Sequence, residues 1–255
     1  MTTSPTRLSL VLPCFRGAAY VHETLPALFA WLGAHEASTG PAEVILVDDG
    51  SPDDTSARAR ATGLPVRVEQ LPFNRGKGAA VRHGMKLATG AYRVFMDSDL
   101  PFDLDVLERM LHYLDHKGFD VVVGSRAPKG RSYAVARPFP RRWASVLFAE
   151  FVGRVVVTGV RDTQCGIKGF RADVAEYLFG QARVDRFAFD VELLYLAFKN
   201  NFDVKTLPVQ VYEERPSTMR VGRDGLPMLI EVLQLPWRWH RGEYRLFVGR
   251  PEPTA

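Results

Sequence analysis

Residues 43–54, Glu-Val-Ile-Leu-Val-Asp-Asp-Gly-Ser-Pro-Asp-Asp, pass from an apolar run into a polar turn and the start of a helix. The Val, Ile and Leu residues of Glu43–Val47, closed by Gly50, Ser51 and Pro52, predict a short buried strand. Ser51 is placed to cap the helix that follows, with Pro52 at its first position and Asp54 at its third. The same passage recurs along the first half of the chain. Leu8–Cys14, Val66–Gln70, Tyr92–Met96 and Phe119–Val123 are further strand candidates, and helical patterns lie near 19–34, 53–62, 77–88 and 103–117. Strand and helix alternating at this spacing predict an α/β fold with a mostly parallel central sheet and helices on both faces. A further strand–helix passage covers roughly 165–212. The expected organisation is a disordered stretch at 1–6, one domain over 7–223, and a C-terminal extension over 224–255 that mixes aromatic and basic residues.

The 255 residues, 46% hydrophobic and 24% charged, suit a globular domain with a full core and exclude a disordered chain or a disulfide scaffold. Lys and Arg exceed Asp and Glu by 33 to 29, a net +4 too small to point to nucleic acid as a partner. Cys14 and Cys165 form neither a C-x-x-C nor a zinc spacing and read as reduced thiols. The N-terminus, with its apolar run broken by Pro13, is a poor signal peptide, and no run of 18 apolar residues occurs.

In a sheet of this kind ligands bind at the carboxyl ends of the strands. Four such ends are polar: Pro13-Cys14-Phe15-Arg16, Asp48-Asp49-Gly50-Ser51, Asp97-Ser98-Asp99 and Gly124-Ser125-Arg126. Residues two apart at a strand end share a side, so Asp97 and Asp99 are expected to face one crevice, where Mg²⁺ or Mn²⁺ would relieve their repulsion. A helix-cap role for the same triplet stays open. Asp48 and Asp49 fit a carboxylate that accepts hydrogen bonds from a base N–H or a ribose hydroxyl, beside a turn-building role. Asn74-Arg75-Gly76-Lys77-Gly78 precedes a helix and offers glycines and a cation to a phosphate, or a plain surface loop. From Arg126 to Arg142 there are six basic residues and no acidic one.

Taken together, LSLVLPCFRG, EVILVDDGSPDDT, NRGKGAAVRHGM, TGAYRVFMDSDL and DVVVGSR resemble, in order and spacing, the inverting family 2 glycosyltransferases of the GT-A fold. The segments DTQCGIK (162–168) and RFAFDVELL (186–194) are similar to the dolichyl-phosphate β-glucosyltransferase branch, a sister of dolichyl-phosphate mannose synthase. The resemblance covers about residues 7–220. It implies that Pro13, Phe15 and Asp48, with Asp49 beside it, contact the nucleotide. It also implies that Lys77 lies near the nucleotide, and that Asp97 and Asp99 hold ribose and metal. Arg126, Arg141 and Ser145 would bind the acceptor phosphate, and Ser217 and Arg220 would form a loop over the diphosphate. Two departures stand out: Arg220 replaces the Lys of that loop, and Leu100-Pro101 follows the Asp-x-Asp.

The implied activity is metal-dependent, inverting transfer of a hexose, glucose from UDP-glucose first among UDP- and GDP-hexoses, to a polyprenyl phosphate at a cytosolic membrane face. A phosphate monoester is largely ionised at pH 7 and needs cations and positioning, with Asp99 and Arg126 as the central residues. A hydroxyl acceptor would need a base, for which Asp190 and Glu192 are the candidates. A third alternative is a catalytically silent nucleotide-sugar-binding subunit. Membrane contact is expected through a peripheral surface or a membrane partner protein. The candidates are Trp143, Val146, Leu147, Phe148, Phe151 and Val155, and a tail in which Trp237, Trp239, Tyr244 and Phe247 mingle with arginines; packing of both segments on the core is the alternative.

Overall fold

The computed structural model describes residues 5–126, 160, 162–212 and 221–248, the side chains of 221–224 excepted. Among them one sheet contains β1 (Leu8–Cys14), β2 (Ala42–Asp48), β3 (Val66–Gln70), β4 (Tyr92–Met96), β5 (Val121–Arg126), β6 (Ile167–Arg171) and β7 (Val204–Val209). The strand order is β3-β2-β1-β4-β6-β5-β7. All neighbours are parallel except β6, which runs antiparallel to both β4 and β5. The helices are α1 (Val21–Ala34), α2 (Glu36–Thr39), α3 (Thr55–Ala61), α4 (Lys77–Leu87), α5 (Val106–Leu111), α6 (Ala172–Gln181), α7 (Phe189–Lys199) and α8 (Val221–His240).

Side chains alternate along each buried strand, so the sheet divides two cores. Val11, Ile45, Val47, Phe95, Val121 and Val123 face α4, α6, α7 and α8. Leu10, Leu12, Val44, Leu46, Val94, Met96 and Val122 face α1, α3 and α5. Each such side chain contributes roughly 1.5–3 kcal/mol when buried. A one-residue slip would exchange the two sets, which pins registers such as Val11 against Ile45 and Phe95.

Several boundaries differ from the sequence expectation. Ser51 does not cap α3. Its Oγ accepts the Arg16 N–H at 2.8 Å and its own N–H goes to Asp48 Oδ1 at 2.9 Å, so the chain stays in a turn until Asp53 Oδ1 accepts the Thr55 N–H at 3.3 Å. The strand expected over 119–123 runs over Val121–Arg126. The helix expected over 103–117 is α5 continued by a π-helical turn, His112–His116.

α8 starts at Val221, ahead of the boundary expected at 224. Its inner side joins the α7 core through Met228, Val232 and Leu235, followed by Tyr244. Trp239 meets the Tyr195 ring edge-on at 6.2 Å between centroids, and Phe247 packs on Tyr177 and Phe202. Three of the four tail aromatics thus point inward, and Trp237 alone points out. Residues 143–155 lie outside the described residues. Among the described residues no helix is long and apolar enough to cross a membrane.

Candidate active site

The carboxyl ends of β1, β2 and β4 meet on one edge of the sheet. Pro13 pairs with Val47 inside the sheet and is buried, while Phe15, just beyond the strand, is partly exposed with the Arg16 guanidinium 5.4 Å from its ring centroid. Cys14 Sγ lies 3.5 Å from the Tyr20 hydroxyl, which is 3.0 Å from Ser98 Oγ, so α1 is tied to the ends of β1 and β4. Both cysteines are free and buried.

Asp48 corrects one expectation. It has no exposed surface, and its oxygens accept the Ser51 N–H at 2.9 Å and the Ser56 hydroxyl at 2.6 Å. It builds the β2–α3 turn, with both carboxylate oxygens engaged there. Asp49 looks the other way: its two oxygens accept the Arg75 and Gly76 N–H groups, each at 2.8 Å. Burial raises its pKa, outweighing those two amides. Asp49 therefore holds the loop that delivers Lys77.

Lys77 Nζ donates to Asp97 Oδ1 at 2.5 Å, so the repulsion expected between Asp97 and Asp99 is relieved in part by a lysine. Burial disfavours the Lys77 charge, but Asp97, Asp190 and Asp99 outweigh burial and raise its pKa. The triplet follows the strand at the place expected, on a turn and not in extended chain. β4 stops at Met96, and residues 97–100 form a turn in which the Asp97 carbonyl accepts the Leu100 N–H at 3.1 Å, with Leu100 at φ 48°. Asp99, partly exposed on this turn, acts electrostatically on both Lys77 and Tyr20. Among the described residues no three His, Cys, Asp or Glu side chains gather as a metal-holding group.

Behind Lys77 lies a pair the sequence reading missed. Lys168, wholly buried on β6, donates to Asp190 Oδ1 at 2.5 Å and to the Cys165 carbonyl at 2.9 Å, with its ammonium 5.4 Å from the Phe95 ring centroid. Burial raises the Asp190 pKa against the pull of Lys168 and Lys77. Lys168, Asp190, Lys77 and Asp97 thus form a run of alternating charge from the core to the crevice. The available signal was a lysine and an aspartate set in otherwise apolar segments, since buried charges require partners.

Neither candidate base keeps that role. Asp190 is nearly buried and bound to Lys168, so it supports Lys77 from behind and does not meet an acceptor. Glu192 is fully buried on α7; its carboxylate accepts the Arg183 and Val184 N–H groups and the Tyr244 hydroxyl, which clamps the C-terminal segment to the domain.

Glycines here serve packing. Gly76 has φ 112°, and a Cβ on it would meet the Asp185 carbonyl at 2.5 Å. The expected room for a phosphate is therefore taken, on that side, by the 185–186 backbone. At Gly166 a Cβ would coincide with Asp97 Oδ2. Gly166→Ala is expected to push that carboxylate off Lys77, costing about 1–3 kcal/mol of stability and most of the activity. Thermal unfolding together with turnover measurements checks this, and a variant with unchanged turnover would detach Asp97 orientation from function.

Arg126, at the end of β5, forks onto Asp162: its Nε and Nη2 reach the two carboxylate oxygens at 2.8 and 2.9 Å, and its backbone N–H adds a bond at 2.9 Å. Burial works against the Asp162 charge, but Arg126 outweighs it and lowers the pKa. The charge of Arg126, expected as an acceptor-phosphate ligand, is thus shared with Asp162. Arg141, Ser145, Ser217 and Arg220 lie outside the described residues.

The edge thus carries a held lysine, Lys77, at the start of α4, and a partly exposed carboxylate, Asp99, on the turn after β4. Comparison with known proteins supplies the family. Residues 9–179 match the model of glycosyl transferase family 2. A dolichyl-phosphate beta-glucosyltransferase of Drosophila melanogaster is 35% identical over 91% of this chain and 77% of its own length. Its human counterpart is 33% identical over 95% and 79%. That of Dictyostelium discoideum is 32% identical over 80% of this chain, which spans 65% of that relative's length. Among solved structures, glucosyl-3-phosphoglycerate synthase from Mycobacterium tuberculosis, crystallised with Mn²⁺, UDP-glucose and phosphoglyceric acid, superposes with a TM-score of 0.67. It is 19% identical, with 91% of this chain and 79% of that one covered. The fold is of the GT-A class. The chain belongs to glycosyl transferase family 2.

Proposed function

We propose that this protein transfers glucose from UDP-glucose, with inversion, to a polyprenyl phosphate at a membrane surface on the cytosolic side. The observation that carries the proposal is the Lys77–Asp97 pair beside Asp99, backed by Asp190 and Lys168, on the edge where the strand ends converge. Similarity to relatives named dolichyl-phosphate beta-glucosyltransferase supports the sugar and the acceptor.

The donor set suits a hard divalent cation. Asp97 and Asp99 bring two carboxylates to one turn, Asp97 bound by Lys77 and Asp99 partly exposed. Mg²⁺ takes one or two carboxylates and completes its shell with substrate phosphates, and such an ion supplies neutralisation of a leaving diphosphate. Lys77, kept charged by its three acidic neighbours, adds a fixed cation on the same edge. An ionised phosphate acceptor needs no base, which agrees with the engagement of both Asp190 and Glu192 elsewhere.

The test is incubation with radiolabelled UDP- and GDP-hexoses, with and without polyprenyl phosphate and Mn²⁺ or Mg²⁺. Label from UDP-glucose is expected in the organic phase only when lipid phosphate and metal are both present, and chelation is expected to stop it. Transfer to a water-soluble hydroxyl acceptor instead would overturn the acceptor assignment. Nucleotide binding without transfer to any acceptor would point to a binding subunit.

A further inference from the structure

Among the described residues, α8 carries a second apolar face that is left exposed. Its inner side is buried through Met228, Val232 and Leu235. On the opposite side Leu226, Ile230, Leu233 and Trp237 are 66%, 46%, 52% and 56% exposed. Their spacing of four, three and four residues places them along one line of the helix. Four large apolar side chains in a row, on a helix already anchored by its other side, constitute a surface in need of an occupant.

Charge selects that occupant. Between 225 and 248 the basic side chains are Arg238, His240, Arg241 and Arg245, and the acids are only Glu231 and Glu243. Both acids are turned toward the protein. Glu231 is half-buried, its pKa raised by burial against the pull of Arg186 and Arg238, and Glu243 reaches Arg183 Nη1 at 4.0 Å. Arg241 is exposed and stacks over the Trp237 ring at 4.3 Å, at one end of the apolar line. An apolar stripe bordered by arginine and tryptophan, with its acids withdrawn, complements an anionic lipid interface. A second copy would bring like charges together across the same face.

Position adds a reason. Met228, two residues from the start of the stripe, accepts a hydrogen bond at its Sδ from Gln164 Nε2 at 3.5 Å. Gln164 lies two residues from Asp162, which holds Arg126 at the site edge. The stripe therefore begins at the rim of the site.

We propose that the Leu226–Ile230–Leu233–Trp237 face of α8 lies in the headgroup–acyl boundary of an anionic bilayer and holds the site edge against the membrane. This deepens the proposed function and rests on it, since an acceptor phosphate could then enter while its isoprenoid chain stays in lipid. The full chain should co-float with phosphatidylcholine vesicles that contain phosphatidylserine, and less with phosphatidylcholine alone. The double variant Leu233→Ser, Trp237→Ser removes two inserted side chains. It should weaken vesicle binding by roughly a hundredfold, while its melting midpoint and its turnover of a short, water-soluble polyprenyl phosphate stay near the parent's. Three results would overturn the inference: no flotation of the parent, equal flotation of parent and variant, or a parent dimer that the same substitutions render monomeric. Vesicle binding is read without donor or acceptor, and turnover of the soluble acceptor is read without vesicles, so failure of docking and failure of the proposed activity are separable.

Discussion

Asp99→Ala is expected to lower kcat/KM for sugar transfer on the order of 10³-fold, about 4 kcal/mol of transition-state stabilisation, while moving the melting midpoint little. The small structural effect follows from its place on a partly exposed turn outside the hydrophobic cores. The large functional effect follows from its neighbours. Asp99 lies two residues from the Lys77-bound Asp97, partly exposed and close enough to act on the Lys77 charge, so it is expected to contribute a carboxylate to a cation on this edge. Calorimetry separates the roles: in Asp99→Ala the gain in nucleotide affinity on adding Mn²⁺ should vanish, and metal-free nucleotide binding should persist. Full turnover by this variant would remove Asp99 from the reaction.

Lys168→Met should be the most destabilising single change near the site. It leaves Asp190 buried without its 2.5 Å partner, a loss of about 3–5 kcal/mol, or a fall of roughly 8–15 °C in melting midpoint for a chain of this size. Replacing both partners, Lys168→Met with Asp190→Leu, should recover most of that stability, because no uncompensated charge remains. The pH dependence has a definite sign. Burial raises the folded-state pKa of Asp190, so its protonated form is favoured by folding. That contribution is fully present below the ordinary carboxylate pKa and is lost as pH rises through the raised value. Without Lys168 the rise should be larger, so the deficit of the single variant should shrink as pH is lowered into the acid range. Thermal unfolding of the parent, single and double variants across pH measures all of this; a deficit independent of pH would mean that lost packing, not lost charge pairing, dominates.

Much of the first half was legible because its signals are local. Leu8–Cys14, Val66–Gln70 and Tyr92–Met96 are strands over the stretches expected, since short stretches rich in Val, Leu and aromatic residues, or alternating as Val-Arg-Val does at 66–68, favour extended chain when closed by turn residues. The reversal of β6 was not legible. Ile-Lys-Gly-Phe-Arg says strand but carries no sign of direction, which is set by pairing with β4 and β5 far away in sequence. The same distance hid Lys168 and Asp190, 22 residues apart and joined only by the fold. Asp48 misled for a different reason: a turn-builder and a ligand-binder are the same residue type at the same strand end, and only the occupancy of its oxygens separates them.

That reversed strand also bears on what a substitution near the site can disturb. β5 climbs to the edge of the site, and β6 starts there and descends beside it, with Val123 opposite Lys168. The chain therefore leaves β5 and enters β6 at the same edge, where Asp162 holds Arg126. A substitution where the chain rejoins the sheet is therefore felt by the β1–β4 half too, because the Gly166 carbonyl accepts the Asp97 N–H and Gly166 lies against the Asp97 carboxylate.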